Sequence, residues 1–505
     1  MNKILIIFIV FFSILLLLFA VALLTFYFKK QNETAKEITL EEYTQKKEKL
    51  IADFKEISES NSQIVSERKD EKSSINDPGE NLFGRDKTKL ENVKKINIKH
   101  FNNIIDLDER EMTVDVEANI KFPQLIEYLH KYGYQPVFTV DMYHISVGGL
   151  ICGVGGGSAC AKNGAFHDSI IEMDVLTSDG DIKTCTKDEN KNLFFSMPNS
   201  YGSLGYIIRV KMLIEKIKPY IKVNNLYFNN SKEYFDKIDE LQKQENKCKY
   251  DFLEGTIFND KLFVIMVGNY VDDFEGDLLD PVGHRVYWKE LRDRRPDVHY
   301  FKTNDYNWRW DVDGYYTTID MGWFFTNEIL RPFVPRFLMN GNFLRPFAES
   351  YLGVDYKDGN MVHDILFPTK NAAEIFDWYD KEVGLYPMYI CPICKTDDSY
   401  FFNIPGNYVD FGIGYGPTAK TTEQSLIWKK KLEKKMLEEE GVKLLYCKQW
   451  MSEKDFWKTY ENKDSFFKKN PDIKKEELKD KTLYDYIKEQ YDKSGKFPSL
   501  YKKVS

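Results

Sequence analysis

A short glycine-rich segment constrains the fold of this chain more than any other feature. Residues 146–158 read Ser-Val-Gly-Gly-Leu-Ile-Cys-Gly-Val-Gly-Gly-Gly-Ser and hold six glycines in thirteen positions. Glycine lets the backbone approach a ligand closely, and consecutive exposed N–H groups form concave sites for anions, phosphates above all. The segment therefore predicts a phosphate-binding backbone rather than a plain turn.

Two common phosphate-binding motifs do not fit this segment. A Rossmann fingerprint needs Gly-x-Gly-x-x-Gly at the start of a crossover helix. Here Ser158 stands where the third glycine would follow Gly153 and Gly155, and Gly164 interrupts the few residues before the next predicted strand at Ile170. A P-loop is also excluded, because the chain contains no Gly-Lys-Ser or Gly-Lys-Thr.

The hydrophobic pattern around the glycines predicts alternating strands and helices. Strands are predicted at 104–107, 112–120, 170–177, 181–186 and 206–214, with a helix at 122–129 closed by Gly133. After Pro219, aromatic strands mix with longer helices, such as Val264–Val267 and Ala372–Tyr379, and the tail from Ser425 is helical and rich in Lys and Glu. We predict a cofactor domain at 85–219, a substrate domain at 220–424 and a helical segment at 425–505.

The amino terminus predicts a membrane anchor. Residues 4–28 are apolar except Ser13 and Thr25, and they are long enough to span a hydrocarbon core of about 30 Å with some tilt. A cleaved signal peptide would have a shorter apolar run and a small-residue exit. We predict a single-pass anchor within 1–30. Lys29 and Lys30 follow the apolar run, and the cysteines do not form the disulfide pattern of a secreted protein. Both features favour a cytosolic body on a membrane such as the endoplasmic reticulum.

Between the anchor and the cofactor domain, residues 31–84 are polar. Helical spacing from Thr39 to Ile57 predicts a stalk helix, and residues 58–84 have no periodicity and are typical of a linker.

Charge and cysteine content exclude other classes of function. The net charge of −8 argues against nucleic-acid binding, which needs a basic face. Cys391-Pro-Ile-Cys394 resembles half of a zinc site, but no second pair at a comparable spacing completes it, so no metal site is predicted. The sequence leaves the oligomeric state open.

An ordered series of motifs then carries a family resemblance. Gly148-Gly149, the later glycines, Gly164, Asp168 and a strand ending in Asp179-Gly180 resemble the p-cresol methylhydroxylase-type FAD-binding domain. The segment 200–208, Ser-Tyr-Gly-Ser-Leu-Gly-Tyr-Ile-Ile, is similar to the next part of that domain. The resemblance implies an α+β fold, in which a two-subdomain FAD-binding domain of the vanillyl-alcohol oxidase/p-cresol methylhydroxylase type is joined to an α+β substrate (cap) domain.

Within that superfamily the chain most resembles the 24-dehydrocholesterol reductase (Diminuto-like) group. The core at 146–155, Thr184-Cys-Thr with the following Asn190-x-x-Leu-Phe-Phe, and the segments 362–368, 386–392 and 409–415 are similar to that group, as are 444–447 and 453–457. The similarity covers about residues 40–500. The usual first FAD loop, of the Gly-x-Gly-His-Ser type, is not recognisable between Ser66 and Arg85.

The resemblance implies FAD as the cofactor, bound without a covalent link, since neither His144 nor His167 lies in a known linkage motif. It also implies the residues that hold the FAD. They are Ser146, Val147, Gly148, Gly149, Leu150, Gly153, Gly155, Gly156, Gly157, Ser158, Gly164, Asp168, Gly205 and Ile207.

The same resemblance implies that reduced FAD delivers hydride to a side-chain alkene of a lipophilic, sterol-like substrate. No second dinucleotide motif is present, so NADPH would act as a transient donor. An unactivated alkene also needs a proton from a well-placed acid in an apolar pocket. The candidates are Asp364, His363 and Tyr389, with Asp364 placed first.

Two other functions stay open at this point. One is an FAD-linked oxidase or dehydrogenase of a sugar, a lactone or a prenyl-linked alcohol. The other is a non-enzymatic membrane scaffold that keeps the glycine segment but binds no flavin.

Overall fold

The structure is a computed structural model, and it describes most of the chain between residues 35 and 505. The described residues are 35–60, 62–67, 93–243, 248–281, 285–319, 326–333, 339, 362–397, 399–402, 404–414, 422–461, 466–467, 478 and 481–505. The predicted anchor at 4–28 and most of the predicted linker lie outside these residues. Within them, no helix has both the length and the apolar character needed to cross a membrane.

The described residues form strands, several of them consecutive along the chain, with helices between some of them. The strands are β1 Gln63–Glu67, β2 Val93–Asn97, β3 Ile104–Asp108, β4 Thr113–Glu117, β5 Tyr134–Pro136, β6 Ile170–Leu176, β7 Ile182–Thr186, β8 Tyr206–Lys216, β9 Tyr220–Phe228, β10 Phe252–Asn259, β11 Leu262–Val271, β12 Val298–Lys302, β13 His363–Pro368, β14 Met388–Ile393, β15 Tyr408–Ile413 and β16 Val442–Lys443. The helices are α1 Leu40–Ser58, α2 Phe122–His130, α3 Val147–Gly153, α4 Cys160–Asn163, α5 Lys191–Ser196, α6 Ser231–Gln242, α7 Tyr287–Lys289, α8 Thr303–Asn307, α9 Ala372–Glu382, α10 Thr422–Glu438, α11 Glu453–Tyr460, α12 Leu483–Tyr491 and α13 Leu500–Val504.

Helix α1 begins at a capping box. The Thr39 hydroxyl accepts a hydrogen bond from the Glu42 backbone N–H at 3.1 Å, and the Glu42 carboxylate accepts one from the Thr39 N–H at 2.7 Å. These two bonds satisfy donors that a helix start would otherwise leave unpaired. The helix packs against the first large sheet through its buried face, which includes Tyr43 and Phe54. The predicted helix is therefore confirmed, and it lies on the folded body of the protein.

The first large sheet is antiparallel and contains β3, β4, β8, β6 and β7 in that order, with β5 added against β8. Its central strand, β8, alternates buried and partly exposed residues as a two-sided strand should. The hairpin from β6 to β7 turns through Gly180, whose φ of +84° favours glycine. These strands and helix α2 confirm the predicted elements from 104 to 214. Beside this sheet, β1 and β2 form a parallel pair.

The second large sheet has eight strands in the order β12, β9, β11, β10, β14, β15, β13, β16. One of its faces is covered by helices α6 and α9, where Phe235 stacks on Phe411 with ring centroids 5.6 Å apart and Phe263 meets Phe376 at 5.2 Å. Its other face turns toward the glycine-rich segment. A sheet buried on both faces can carry functional side chains away from water.

All seven cysteines are free thiols. Cys391 lies inside β14 and Cys394 follows its end. Among the described residues, no group of three or more His, Cys, Asp or Glu side chains could hold a metal ion.

Candidate active site

The glycine-rich segment begins as a short helix against the first sheet. Ser146 caps α3, and its hydroxyl accepts a hydrogen bond from the Gly149 N–H at 3.3 Å. Gly148 allows a close approach to the sheet, because a Cβ at this position would lie 2.9 Å from the Cβ of Ala118. The side chains of Val147 and Leu150 are buried in the core. This part of the segment is therefore packed firmly against the first sheet.

The three consecutive glycines then cross between the two sheets. A Cβ on Gly155 would lie 2.7 Å from Cδ1 of Leu150, and one on Gly157 would lie 2.8 Å from the Thr139 carbonyl oxygen. Two contacts tie this run to the second sheet: the Cys391 thiol donates to the Gly157 carbonyl at 3.2 Å, and the Leu253 N–H donates to the Ser158 carbonyl at 2.7 Å. The run can take no side chain without displacing its neighbours.

The sheet face opposite the glycine run is polar and buried. Strand register places these side chains together, because directly paired residues of an antiparallel sheet share a face and residues two apart along a strand share it too. Tyr389 pairs with Thr256 and Gly412, Cys391 with Asp410, and Asp364 with Gly412. The shared face thus carries, all buried, Glu254, Thr256, Asp364, Tyr389, Cys391 and Asp410.

Arg309 joins two of the buried carboxylates of this region. Its guanidinium lies 2.6 Å from a Glu254 oxygen and 3.2 Å from an Asp141 oxygen. Glu254 also accepts hydrogen bonds from the Tyr389 hydroxyl and the Trp310 indole N–H, both at 2.9 Å. Burial raises the pKa of Asp141 to about 7, against the lowering effect of Arg309. One cation thus holds two carboxylates, and one of them titrates near neutrality.

Asp410 has a different environment. It is 2% exposed, and its Oδ1 atom has no hydrogen-bond partner among the described residues. A Cβ on Gly156 would lie 3.3 Å from the Cys391 sulfur and 3.7 Å from Oδ2 of Asp410. Burial, with the nearby Asp364 carboxyl and Cys160 thiol, raises the pKa of Asp410 well above its usual range. Asp410 is thus a buried acid beside the glycine run, in surroundings that favour its protonated form.

The three predicted catalytic residues separate into two groups. Asp364 and Tyr389 lie on the face that meets the glycine run. His363 points to the other side of β13, where its Nδ1 lies 3.6 Å from the Cys447 sulfur and its ring stacks on Trp450. Burial, followed by the charges of Lys443 and Lys429, lowers the pKa of His363 well below its ordinary value. The structure brings together the first two candidates and separates the third from them.

The remaining predicted cofactor residues support the backbone around the glycine segment. Gly153 accepts a hydrogen bond on its carbonyl from the Tyr201 hydroxyl at 3.2 Å. Asp168 accepts bonds from the N–H groups of Ala165 at 2.9 Å and Asp397 at 3.1 Å, and burial raises its pKa to about 6.

Three further predicted cofactor residues lie beside these contacts. Gly164, with φ +79°, leaves room for the Asp168 carboxylate. Gly205 has a φ of +157°, and a Cβ there would lie 2.6 Å from Val175, whose backbone pairs with Ile207. These residues shape the site, and the glycines between 153 and 157 line it.

Several residues of this site were not singled out by the sequence. Asp410 stands in the segment Val409-Asp-Phe-Gly, and Glu254 stands in Phe-Leu-Glu-Gly. A single acid within an apolar strand is a signal of a buried charge, and it could have directed attention to both. Arg309 lies between Trp308 and Trp310, and only the fold brings it to Asp141.

The surroundings of the glycine run fit a dinucleotide. The loop 199–201 lies along α3, since the Asn199 N–H donates to the Ile151 carbonyl and the Tyr201 N–H to the Cys152 carbonyl, both at 3.1 Å. The Asn199 Oδ1 and Ser200 Oγ atoms are buried there with no partner in the described part of the chain. A side-chain-free glycine run beside unsatisfied polar atoms fits a cofactor with phosphate and ribose groups.

Comparison with known families agrees with this geometry. Residues 78–186 match the family model described as FAD binding domain, and that range includes the whole glycine segment. The chain carries an FAD-binding domain. As the sequence predicted, the protein is an FAD-dependent oxidoreductase.

Similarity to known proteins also extends beyond the FAD-binding domain. The chain is 25% identical over 441 residues to a Delta(24)-sterol reductase homolog of Caenorhabditis elegans, covering 82% of this chain and 79% of the relative. It is 25% identical over 424 residues to the Delta(24)-sterol reductase of Homo sapiens, covering 79% and 76%. A cytokinin dehydrogenase of Arabidopsis thaliana is 27% identical over 144 residues, covering 28% and 29%. The predicted resemblance is confirmed, and with the reductases it extends well beyond the FAD-binding domain.

Proposed function

We propose that the protein reduces an isolated side-chain double bond of a sterol-like lipid, with FAD as cofactor and NADPH as electron donor. The observation that carries the proposal is the contact between the glycine run and the polar, buried face of the second sheet. Similarity to Delta(24)-sterol reductases over about four fifths of the chain supports it. A reaction on a lipophilic alkene needs such a dry site, with an acid held inside it.

We further propose the finer architecture predicted from the sequence. The FAD-binding domain at 85–219 would be of the two-subdomain p-cresol methylhydroxylase type, and the second sheet would form the core of a cap domain at 220–424. The backbone of 146–158 would hold the cofactor phosphates and the inner edge of its ring system. Bound reduced FAD supplies a hydride equivalent.

The protein's own part in the reaction is to exclude water and supply a proton. The Arg309, Glu254 and Tyr389 network fixes side chains on the sheet face by charge-assisted hydrogen bonds. Such bonds are strong in a low-dielectric interior, so the site is preorganised rather than adaptable. Of the proton donors predicted from the sequence, Asp364 and Tyr389 lie on the sheet face that meets the glycine run, and His363 lies on the other face.

The proposal includes a membrane anchor at residues 4–28. A sterol-like substrate partitions into lipid, so an enzyme held at the membrane surface would meet it at high local concentration. We place the catalytic body on the cytosolic side, where NADPH is available, and keep this as a prediction.

A second function has one observation in its favour. The chain is similar over 144 residues to a cytokinin dehydrogenase, so a dehydrogenase reaction on another kind of substrate also has a relative in its favour. An FAD-linked oxidase or dehydrogenase of a sugar, a lactone or a prenyl-linked alcohol is therefore the alternative.

The two functions are separated by product analysis. The full-length protein in detergent is incubated anaerobically with NADPH and a Delta(24)-sterol, and the sterol is analysed by mass spectrometry. We expect a product heavier by two hydrogens, with deuterium incorporated at the former double bond when the reaction is run in D₂O. An unchanged sterol, with oxygen consumed when alcohols are supplied in air, would instead establish the oxidase.

A further inference from the structure

We propose that Asp410 is the catalytic acid, and that it gives the proton to the alkene carbon that does not receive hydride. This assignment rests on the proposed function and deepens it. Asp410 was not among the candidates that the sequence provided. The inference is carried by its position, its burial and the groups around it.

Position singles out Asp410 among the acids of the sheet face. It lies in the middle of β15, between Leu366 on β13 and Cys391 on β14. Its Oδ2 is the carboxyl oxygen nearest to a methyl group built on Gly156, at 3.7 Å. Its Oδ1 is buried without a hydrogen-bond partner among the described residues. A buried polar atom is nearly always satisfied, so an orphaned oxygen on a carboxyl group that lies beside a ligand-binding backbone points to a bound molecule.

The groups that face Asp410 keep its proton in place. They are the carboxyl of Asp364 on β13, the thiol of Cys391 on β14 and the thiol of Cys160 on α4. No cation among the groups that shift its pKa offsets them. Burial is the largest cause of the raised pKa of Asp410, and the negative charge of Asp364 adds to it. Burial and these neighbours thus favour the protonated form of Asp410, which is the form a proton donor needs.

The other acids of the site are less suited to this role. The Tyr389 hydroxyl donates to Glu254 at 2.9 Å, and burial raises the pKa of Tyr389 well above 10, so its proton is held firmly. Glu254 and Asp141 are bound to the Arg309 cation. Asp364 remains as the neighbour whose charge favours the protonated form of Asp410 and would stabilise positive charge developing on the alkene.

The proposed step balances. The alkene π bond breaks and two C–H bonds form, one with the hydride equivalent from the reduced cofactor and one with the proton of the Asp410 O–H. Asp410 is left as a carboxylate and takes a proton from solvent before the next turnover. NADPH is the reductant, and the substrate gains two hydrogens.

The test compares Asp410→Asn with Asp364→Asn in the full-length holoprotein. Both variants should retain FAD, seen in the visible spectrum, and both should be reduced by NADPH at the wild-type rate. Reoxidation by a Delta(24)-sterol should slow at least ~100-fold in Asp410→Asn, as expected for loss of a general acid. It should slow less in Asp364→Asn, and Asp410→Glu should recover part of the rate.

A second readout does not depend on substrate. The infrared difference spectrum between oxidised and reduced wild-type holoprotein should contain the carbonyl stretch of a protonated carboxyl group, and this band should be absent from Asp410→Asn. A band that persists in Asp410→Asn, or sterol-dependent reoxidation within ~3-fold of wild type, overturns the assignment. Wild-type holoprotein that no alkene reoxidises would contradict the proposed reduction itself, and the infrared band alone would then decide whether Asp410 carries the proton.

Discussion

Gly156, in the loop after α3, and Asp410, in the middle of β15, face each other across the site: a methyl group on the glycine would lie 3.7 Å from the Asp410 carboxyl oxygen. This relationship connects the phosphate-binding segment predicted from the sequence to an acid in the middle of the second sheet. It explains why position 156 is a glycine, since a side chain there would fill the space in front of the acid, whereas side chains at Gly155 and Gly157 would meet Leu150 and Thr139.

The first prediction concerns the space around the backbone of the glycine run. Gly157→Ala should lower the FAD content of the purified protein at least ~10-fold, because its Cβ would meet the Thr139 carbonyl at 2.8 Å and neither backbone can yield. The matched control is Gly406→Ala, whose Cβ would meet only the Tyr408 ring at 3.9 Å. The ratio of flavin to protein absorbance measures both. Equal FAD in the two variants would contradict a role for the run in holding the cofactor.

A second prediction concerns the buried ion cluster. Arg309→Met leaves Glu254 and Asp141 as uncompensated buried charges, and removing one partner of such a cluster costs about 3–5 kcal/mol of unfolding free energy. We expect a clearly lower thermal midpoint, measured by circular dichroism. Lys232→Ala removes an exposed ion pair with Asp236 and should leave the midpoint unchanged. Similar midpoints in both variants would show that Arg309 does not compensate the two carboxylates.

Local sequence signals predicted a good part of this fold. The strongly apolar run at 206–214 identifies β8, and the helical spacing that includes Tyr43 and Phe54 identifies α1. The glycine segment could be predicted as a binding segment, because few other kinds of segment need so many residues without side chains. The site as a whole could not be predicted, since it depends on strand register in the second sheet. Strand pairing decides which residues flank Asp410. One of them, Leu366, lies more than forty positions away in the sequence.

The same reason explains the placement of His363. It stands next to Asp364 in the sequence, and successive residues of a strand point to opposite faces. Both residues lie near the start of the segment 362–368, which is similar to the reductase group, so the sequence alone could not separate them. The period of two along β13 separates them once its partners are known.

A third prediction tests that separation. In the folded fraction of the His363→Gln variant, a Delta(24)-sterol should reoxidise the reduced flavin at the wild-type rate. The reason is that the His363 ring contacts Cys447 and Trp450, away from the glycine run. Tyr389→Phe should slow the same step about 10-fold, because it removes a hydrogen bond to Glu254 worth about 1.5–3 kcal/mol. Stopped-flow absorbance measures both rates. A large loss in His363→Gln together with a normal Tyr389→Phe would reverse the proposed orientation of β13.

A fourth prediction concerns pH. Burial lowers the pKa of His167 to about 3, and neither ring nitrogen has a hydrogen-bond partner among the described residues. The unfolded chain therefore binds a proton at higher pH than the folded one. The stability contributed by neutral His167 is complete above pH ~6.5 and is lost as the pH falls toward 3, with a slope of about 1.4 kcal/mol per pH unit.

The test of this prediction is a single substitution. His167→Phe keeps a ring against Tyr400, whose centroid lies 4.5 Å from that of His167, and removes the titrating group. Urea unfolding between pH 4 and 7 should show a shallower dependence on pH in the variant than in wild type, by about the slope given above. Parallel curves would mean that the pKa of His167 is the same in the folded and the unfolded protein, which would contradict the lowering by burial.

The most direct test of the account is anaerobic spectroscopy of the full-length protein purified in detergent. We predict a yellow protein whose flavin absorbance bleaches when NADPH is added and returns when a Delta(24)-sterol follows, but not when the corresponding saturated sterol does. A protein whose colour returns only on admission of air would contradict the reductase and favour the oxidase. A colourless protein that takes up no added FAD would contradict the account at its centre.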